Sequence, residues 1–315
     1  MYKNMNKNMN KNYEEIAPEI IKLRLSQMII NEEYKMGKFK IPIHLALGHE
    51  SIAVAINNIM QKNDKLILSH RNMEYNLARL GELRPILDEY LLKSTGLMQG
   101  KFGSMNLINP NCGVVYTSSI LGNNFSVGAG IAMAQKISQN EGLTIILGGD
   151  GAIEEGSFHE VLLMLKSLEL SAFVIIENNN FSLGTKINER RCPINLEKFS
   201  ESYAIKFMRL SNNDPIEYIK KLNELREYSI KNKTPVCIEV MVTTFGDWVM
   251  NTSEQPNGKI ITYHSGPTPS ISLDNNILLK DTLEDPIFVL RKYVDKKTLK
   301  EMSKTIEVKL LNELK

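Results

Sequence analysis

Cysteine is too scarce in this chain to staple a fold. Cys112, Cys192 and Cys237 are odd in number, far apart and free of any Cys-x-x-Cys pair. That predicts a reducing, cytoplasmic setting rather than a disulfide framework. Long apolar runs are missing as well: no window approaches roughly eighteen uninterrupted apolar residues, so no membrane-spanning helix is expected. Nor does one sign of charge dominate, since 38 Lys and Arg face 36 Asp and Glu for a net +2. The lysines are dispersed, there is 1 Trp, and aromatics make up only 7% of the chain. Neither a polyanion-binding field nor a base-stacking platform results, which disfavours nucleic-acid binding. Residues 1–12 lack the apolar stretch of a signal peptide; they form an Asn/Lys/Met run with an imperfect Asn-Lys-Asn-Met repeat, predicted as a disordered lead.

What the 315 residues do contain is alternation of strand-like and helix-like segments. Helical spacing marks 13–34 (Ile16, Ile20, Leu23, Leu25, Ile29), 52–60, 84–95, 128–137, 158–168 and 215–230. Short apolar runs at 144–147, 172–176 and 234–242 read as strands, and 109–116 reads as a turn-rich loop. The pattern predicts an α/β fold with a doubly wound, mostly parallel sheet and flanking helices. A domain over 13–250 is expected, followed by a loop-like stretch after Asp247 and a charged helical tail over 251–315.

Two strand ends stand out. Leu147-Gly148-Gly149-Asp150-Gly151-Ala152 closes one strand, and Glu177-Asn178-Asn179-Asn180-Phe181 closes the next. A right-handed strand–helix–strand crossover sets both ends side by side on the sheet edge where open α/β sheets bind ligands. A carboxylate, an amide oxygen and bare glycine backbone suit Mg²⁺ holding a diphosphate. The competing reading of Asp150 is a helix N-cap.

This pair of segments resembles the thiamine-diphosphate (ThDP) signature. Further blocks extend the likeness across roughly residues 20–245: His44-Leu45-Ala46-Leu47-Gly48-His49-Glu50, Ser69-His70-Arg71, Gly100-Lys101-Phe102-Gly103-Ser104-Met105 and Ser119-Ile120-Leu121-Gly122. Together they resemble the alpha subunit of ThDP-dependent 2-oxo acid dehydrogenases of the pyruvate, branched-chain and acetoin type, with weaker transketolase-like features. The resemblance implies the diphosphate-binding half of the ThDP fold. It implies Mg²⁺ on Asp150, Asn179 and the carbonyl of Phe181, with the Gly149 segment and the Gly151 and Ala152 N–H groups at the diphosphate. Arg71 would clamp phosphate with His70 beside it, Ser119 and Leu121 backbone would meet the aminopyrimidine, and His44 would sit near the substrate carboxylate or developing oxyanion. A separate beta subunit carrying the pyrimidine-binding domain is implied, in an α2β2 heterotetramer, with a lipoyl acyltransferase as a further partner.

The chain also departs from that family. Met73 and Tyr75 stand where histidines are common, Asn106 replaces a histidine, His49 replaces glutamine, and Phe245-Gly246-Asp247-Trp248 replaces a His-bearing loop. Histidine is the side chain suited to moving protons near neutral pH, so these changes put the acyl donor and acceptor in question. Tyr263-His264-Ser265-Gly266 weakly resembles a Trp-His-Gly stretch of transketolases, though His264 reads as a surface residue of a Pro-rich loop. His49 and His159 read as helix-surface histidines, and Glu154 and Glu155 as complements to a helix N-terminus. Three alternatives accompany the 2-oxo acid reading: a split transketolase-like subunit acting on sugars, a catalytically degenerate ThDP-binding subunit, and an NAD-binding fold built on Gly128-Ala129-Gly130.

Overall fold

The computed structural model describes residues 2–251, 253–254, 256–274 and 276–315. The helices are α1 (Tyr2–Lys35), α2 (Glu50–Ile59), α3 (Met73–Leu80), α4 (Arg84–Tyr90), α5 (Asn123–Ile137), α6 (Gly156–Ser167), α7 (Ile187–Arg190), α8 (Leu196–Ser202), α9 (Pro215–Asn232), α10 (Pro286–Leu290) and α11 (Lys296–Glu313). The strands are β1 (Lys65–Ser69), β2 (Val114–Ser118), β3 (Thr144–Gly149), β4 (Ala172–Asn178), β5 (Phe181–Ser182), β6 (Thr185–Lys186), β7 (Lys206–Leu210), β8 (Val236–Met241), β9 (Asp247–Met250) and β10 (Lys259–Thr262).

Six strands form one sheet in the order β2-β1-β3-β4-β8-β7, every pairing parallel. Side chains alternate across a strand, and both faces of this sheet are apolar. Leu66, Leu68, Ile145, Leu147, Phe173, Ile175, Val236, Ile238 and Val240 point into one core, with residues of α1, α2 and α9. Ile67, Ile146, Val174, Ile176 and Cys237 point into the other, with residues of α5 and α6. Helix α5 lies unusually close to the sheet: a Cβ on Gly128 would meet Ile146 at 2.6 Å, and one on Gly148 would meet Phe125 at 2.4 Å. The small residues are what allow that contact.

Several expectations are corrected here. Helix α1 starts at Tyr2, so the backbone of the expected disordered lead is helical from there, continuing the register of the buried Ile16–Ile20 turn. Helix α4 stops at Tyr90, where Leu92 takes a left-handed φ of 58°. The buried Glu89 carboxylate then accepts backbone N–H groups from Met98, Gly100, Phe102 and Gly103, winding the following loop around itself. Strand β2 occupies part of the expected loop at 109–116. Gly128-Ala129-Gly130 lies inside α5 rather than at a strand–helix turn, which removes the NAD-binding alternative.

The stretch after residue 250 packs into the first core through Tyr263, Ile271, Ile277, Ile287, Leu290, Leu299 and Leu310, and β10 pairs with β9 as an antiparallel hairpin. Polar ties reinforce this. Arg24, fully buried, meets Glu50 at 2.6 Å and Asp285 at 2.9 Å, binding α1, α2 and the start of α10 together. Among the described residues no helix is long and apolar enough to cross a membrane.

Candidate active site

Strand order reverses direction between β1 and β3, the switch point at which doubly wound sheets leave a crevice beyond their carboxyl ends. A cavity of about 300 Å³ opens there. His44, His70, Arg71, Ser119, Leu121, Gly149, Asp150, Gly151, Ala152, Asn179 and Phe181 all line it. The ends of β1, β2, β3 and β4 deliver most of these residues, and the loop before α2 delivers His44. That loop needs Gly48. Its φ is 103°, and a Cβ there would lie 2.0 Å from the Thr243 carbonyl oxygen.

Asp150 and Asn179 are adjacent, as β3 pairs with β4 in register from Thr144↔Ala172 to Gly149↔Glu177. Asp150 caps no helix: Gly151 and Glu155 hold the N-cap positions that follow it. Its carboxylate instead accepts a bond from Arg190 Nη2 at 2.6 Å, while Arg190 Nε and Arg191 Nε donate to Glu154 at 2.7 and 2.8 Å. Burial pushes the Asp150 carboxyl up more than Arg190 and the N–H groups of Asp150 and Asn179 pull it down. The group therefore sits where a cation stabilises it, and Arg190 supplies one. Neither Arg190 nor the pairing role of Glu154 is legible from the motif. Asn179 Oδ1 accepts from the Phe181 N–H at 3.0 Å, and its Nδ2 donates to Thr244 Oγ1 at 3.0 Å.

The imidazoles form the opposite wall. His264, expected on the surface, lies 5.1 Å from His44 and 6.0 Å from His70, ring centre to ring centre, and His44 lies 4.9 Å from His70. Trp248 packs on His264 at 5.1 Å. The β9–β10 hairpin folds the chain back, and the Tyr263 hydroxyl lies 2.7 Å from the carbonyl oxygen of Gly266 and 3.2 Å from that of Ile43, 220 residues away, sharing its one proton between them. Arg71 finishes the splice by donating to the carbonyls of Leu45 and His264. Burial first, and the Arg71 charge second, lower the histidines to about 2 (His44), about 3 (His70) and about 4 (His264). All three are neutral near pH 7, and each neutral ring has one donor and one acceptor nitrogen. His44 Nδ1 is buried without a hydrogen-bond partner.

His49 is also corrected. It is only 2% exposed, with Nδ1 at 3.0 Å from Glu177 Oε1 and Nε2 at 2.9 Å from Thr244 Oγ1. Tyr75, at a position where the family has histidine, donates to the same Glu177 oxygen at 3.0 Å. His159 is only packed between Phe158 and Phe199.

A parallel sheet in this order, with a glycine-lined anionic shelf at its switch point and neutral imidazoles opposite, defines an α/β protein of the thiamine-diphosphate-binding fold. More particularly, the chain belongs to the dehydrogenase E1 component family, whose sequence model matches residues 22–250. It is 29% identical over 235 residues to the pyruvate dehydrogenase E1 component subunit alpha of Rickettsia bellii, covering 72% of each chain. Against the Rickettsia prowazekii subunit the identity is 30% over 235 residues, again covering 72% of each. The mitochondrial subunit of Saccharomyces cerevisiae is 27% identical over 237 residues, which is 75% of this chain and 56% of that one.

Among solved structures, a Pichia stipitis transketolase in complex with xylulose 5-phosphate superposes with TM-score 0.60 at 16% identity, over 96% of this chain and 46% of that one. A Campylobacter jejuni transketolase gives 0.59 at 17%, over 95% and 48%. The chain spans under half the length of those transketolases, and the likeness is one of fold. The family makes this an alpha-type subunit of the ThDP-dependent 2-oxo acid dehydrogenase kind.

Proposed function

We propose that this chain binds ThDP with Mg²⁺ and, with a beta-type partner, decarboxylates a 2-oxo acid and hands on the acyl or aldehyde unit. The observation that carries the reading is the convergence of Asp150, Asn179 and Phe181 with His44, His70 and Arg71 on one cavity at the sheet's switch point.

The donor set fits the group. Mg²⁺ takes a few hard protein oxygens beside phosphate oxygens, and the Asp150 carboxylate, the Asn179 amide oxygen and the Phe181 carbonyl are of that kind. A cationic guanidinium already rests against Asp150. Gly151 and Ala152 line the same shelf and offer backbone N–H groups to a diphosphate. When bound, ThDP supplies the carbanion chemistry of decarboxylation. Around it, the buried Arg71, whose Nη1 and Nη2 already donate to the carbonyls of Leu45 and His264, contributes positive potential toward the diphosphate. The neutral His44, His70 and His264 donate or accept single hydrogen bonds without adding charge. Ser119 and Leu121, which line the cavity, would offer backbone groups to the aminopyrimidine. Ile120 and Leu121 are 66% and 47% exposed beside the cavity, an apolar edge suited to a beta subunit that carries the pyrimidine-binding domain in an α2β2 assembly. A lipoyl acyltransferase is the acceptor in this reading, and three free cysteines accord with a cytoplasmic setting.

The test is reconstitution of this chain with a beta-type subunit. ThDP- and Mg²⁺-dependent oxidation of 2-oxo acids, read by dye reduction, is expected. Asp150→Asn should abolish it while the two subunits still co-elute. Turnover by this chain alone, or full activity of the variant, refutes the reading. A second reading is favoured by His264, which brings the transketolase-like Tyr263-His264-Ser265-Gly266 segment to the cavity. Under it the reconstituted pair cleaves ketoses and ignores 2-oxo acids.

A further inference from the structure

Beneath the cavity floor, one side-chain cluster is absorbed by no part of the cofactor shelf. We propose that His49, Glu74 and Glu177 form a second site, for a divalent zinc-type cation. Each residue offers one ligand atom, and these atoms lie within 4.8 Å of one another. Around a tetrahedral ion bonded at about 2.0–2.2 Å, ligand atoms sit about 3.3–3.6 Å apart, so the widest separation must close by up to about 1.5 Å, within reach of side-chain rotation.

The independent observation is Glu74. It is 0% exposed, and no other described residue gives Oε1 or Oε2 a hydrogen bond. A carboxylate buried without partners is costly, and Glu74 turns those oxygens toward His49 and a second buried carboxylate. Arg71, the nearby cation, gives its Nη1 and Nη2 to the carbonyls of Leu45 and His264 instead. An ion among the three side chains would satisfy the Glu74 oxygens.

The surroundings match a metal-bound imidazole. Its second nitrogen is held by an outer partner, as ligating histidines commonly are: His49 Nε2 lies 2.9 Å from Thr244 Oγ1. One imidazole with two carboxylates mixes nitrogen and oxygen in the manner of Zn²⁺ sites that keep an open position. His49 and Glu177 also line the cavity, so a bound ion would be reachable from it. The ion ties the loop before α2, helix α3 and strand β4 together. Through Thr244, it also steadies the amide of Asn179.

This site is independent of the ThDP reading, and its test uses no cofactor. The full chain is stripped with a chelator, equilibrated with Zn²⁺ alone, passed through a desalting column and assayed by atomic absorption. Retention of one equivalent is expected, with Asp150→Asn retaining it too. His49→Gln and Glu74→Gln, close in shape to the native side chains, should each weaken Zn²⁺ binding by at least about 100-fold. Co²⁺ provides a measurement that needs no variant: low-coordinate Co²⁺ with a nitrogen ligand gives intense visible absorption. A stripped wild-type chain that retains no Zn²⁺, or gives only the weak spectrum of hydrated Co²⁺, overturns the proposal. Loss of Zn²⁺ in Asp150→Asn with retention in His49→Gln overturns it as well, by placing the ion on the shelf.

Discussion

Replacing Arg190 with glutamine is expected to tighten Mg²⁺ binding at Asp150, because guanidinium and metal ion compete for one carboxylate. The side chains of Arg190 and Asp150 are 13% and 3% exposed, and their contact is 2.6 Å. Exposed ion pairs contribute about 0–1 kcal/mol, whereas breaking a fully buried one costs about 3–5 kcal/mol. A pair between those limits contributes about 1–2 kcal/mol, which Mg²⁺ must overcome to displace Arg190. Removing it should raise Mg²⁺ affinity about 5- to 30-fold. The apo variant should be less stable than the apo wild type, since burial already pushes the Asp150 carboxyl up with Arg190 in place. Calorimetric Mg²⁺ titration at saturating ThDP reads the affinity. Emission from Trp248, the 1 Trp in the chain and a neighbour of His264, gives a second signal. An unchanged Mg²⁺ affinity refutes the competition. A fall in ThDP affinity would refute it differently, by making Arg190 a ligand of the diphosphate.

Three further predictions concern the scaffold. His44 is lowered to about 2 against an ordinary 6.5, so the folded state holds it neutral. The stability this contributes is complete above the unfolded value and is lost as pH falls below it. Between pH 7 and pH 5 the loss is about 2 kcal/mol, read from urea midpoints, and His44→Gln should flatten the pH dependence by that amount; an identical slope in the variant refutes the assignment. Asp285→Asn strips a charge from the buried Arg24 cluster and should cost about 3–5 kcal/mol, visible as a lowered Tm, with a shift too small to measure counting against the cluster's role. Gly48→Ala drives a Cβ into the Thr243 carbonyl; a loss of more than about 1 kcal/mol and a changed Trp248 emission are expected, and a neutral outcome would mean that the loop before α2 relaxes freely.

The central strands β3, β4 and β8 were legible because their residues are apolar on both faces. Strands β1, β2 and β7 were not: β1 has only Leu66-Ile67-Leu68 apolar between polar ends, and β2 and β7 are the edges of the sheet. Lys206 and Arg209 flank the partly exposed Phe207 and Met208 in β7, which breaks any two-residue alternation, and Tyr116-Thr117-Ser118 in β2 is polar enough to pass for loop. Of the site, the segments that touch the cofactor shelf were visible as contiguous blocks. Arg190, His264 and the burial of His49 were not, because each depends on contacts distant in sequence. The signal for His264 was present in Tyr263-His264-Ser265-Gly266, but composition alone gave no reason to fold a Pro-rich loop inward. It is the Tyr263 hydroxyl, bonded to Ile43 and Gly266, that fixes the loop there.

That splice between the two ends of the chain also sets an order of events. Contacts that close long loops form late and slow a chain's folding. The shelf at Asp150 and Asn179 rests on neighbouring strands joined by one helix, so it can form as soon as β4 has been made. The imidazole wall waits until residues 263–266 have left the ribosome and found the loop at 43–45. During synthesis the protein thus acquires a place for the diphosphate before His264 closes the wall beside it, and a nascent chain halted near residue 250 would carry the shelf with His44 and His70 but without that closure.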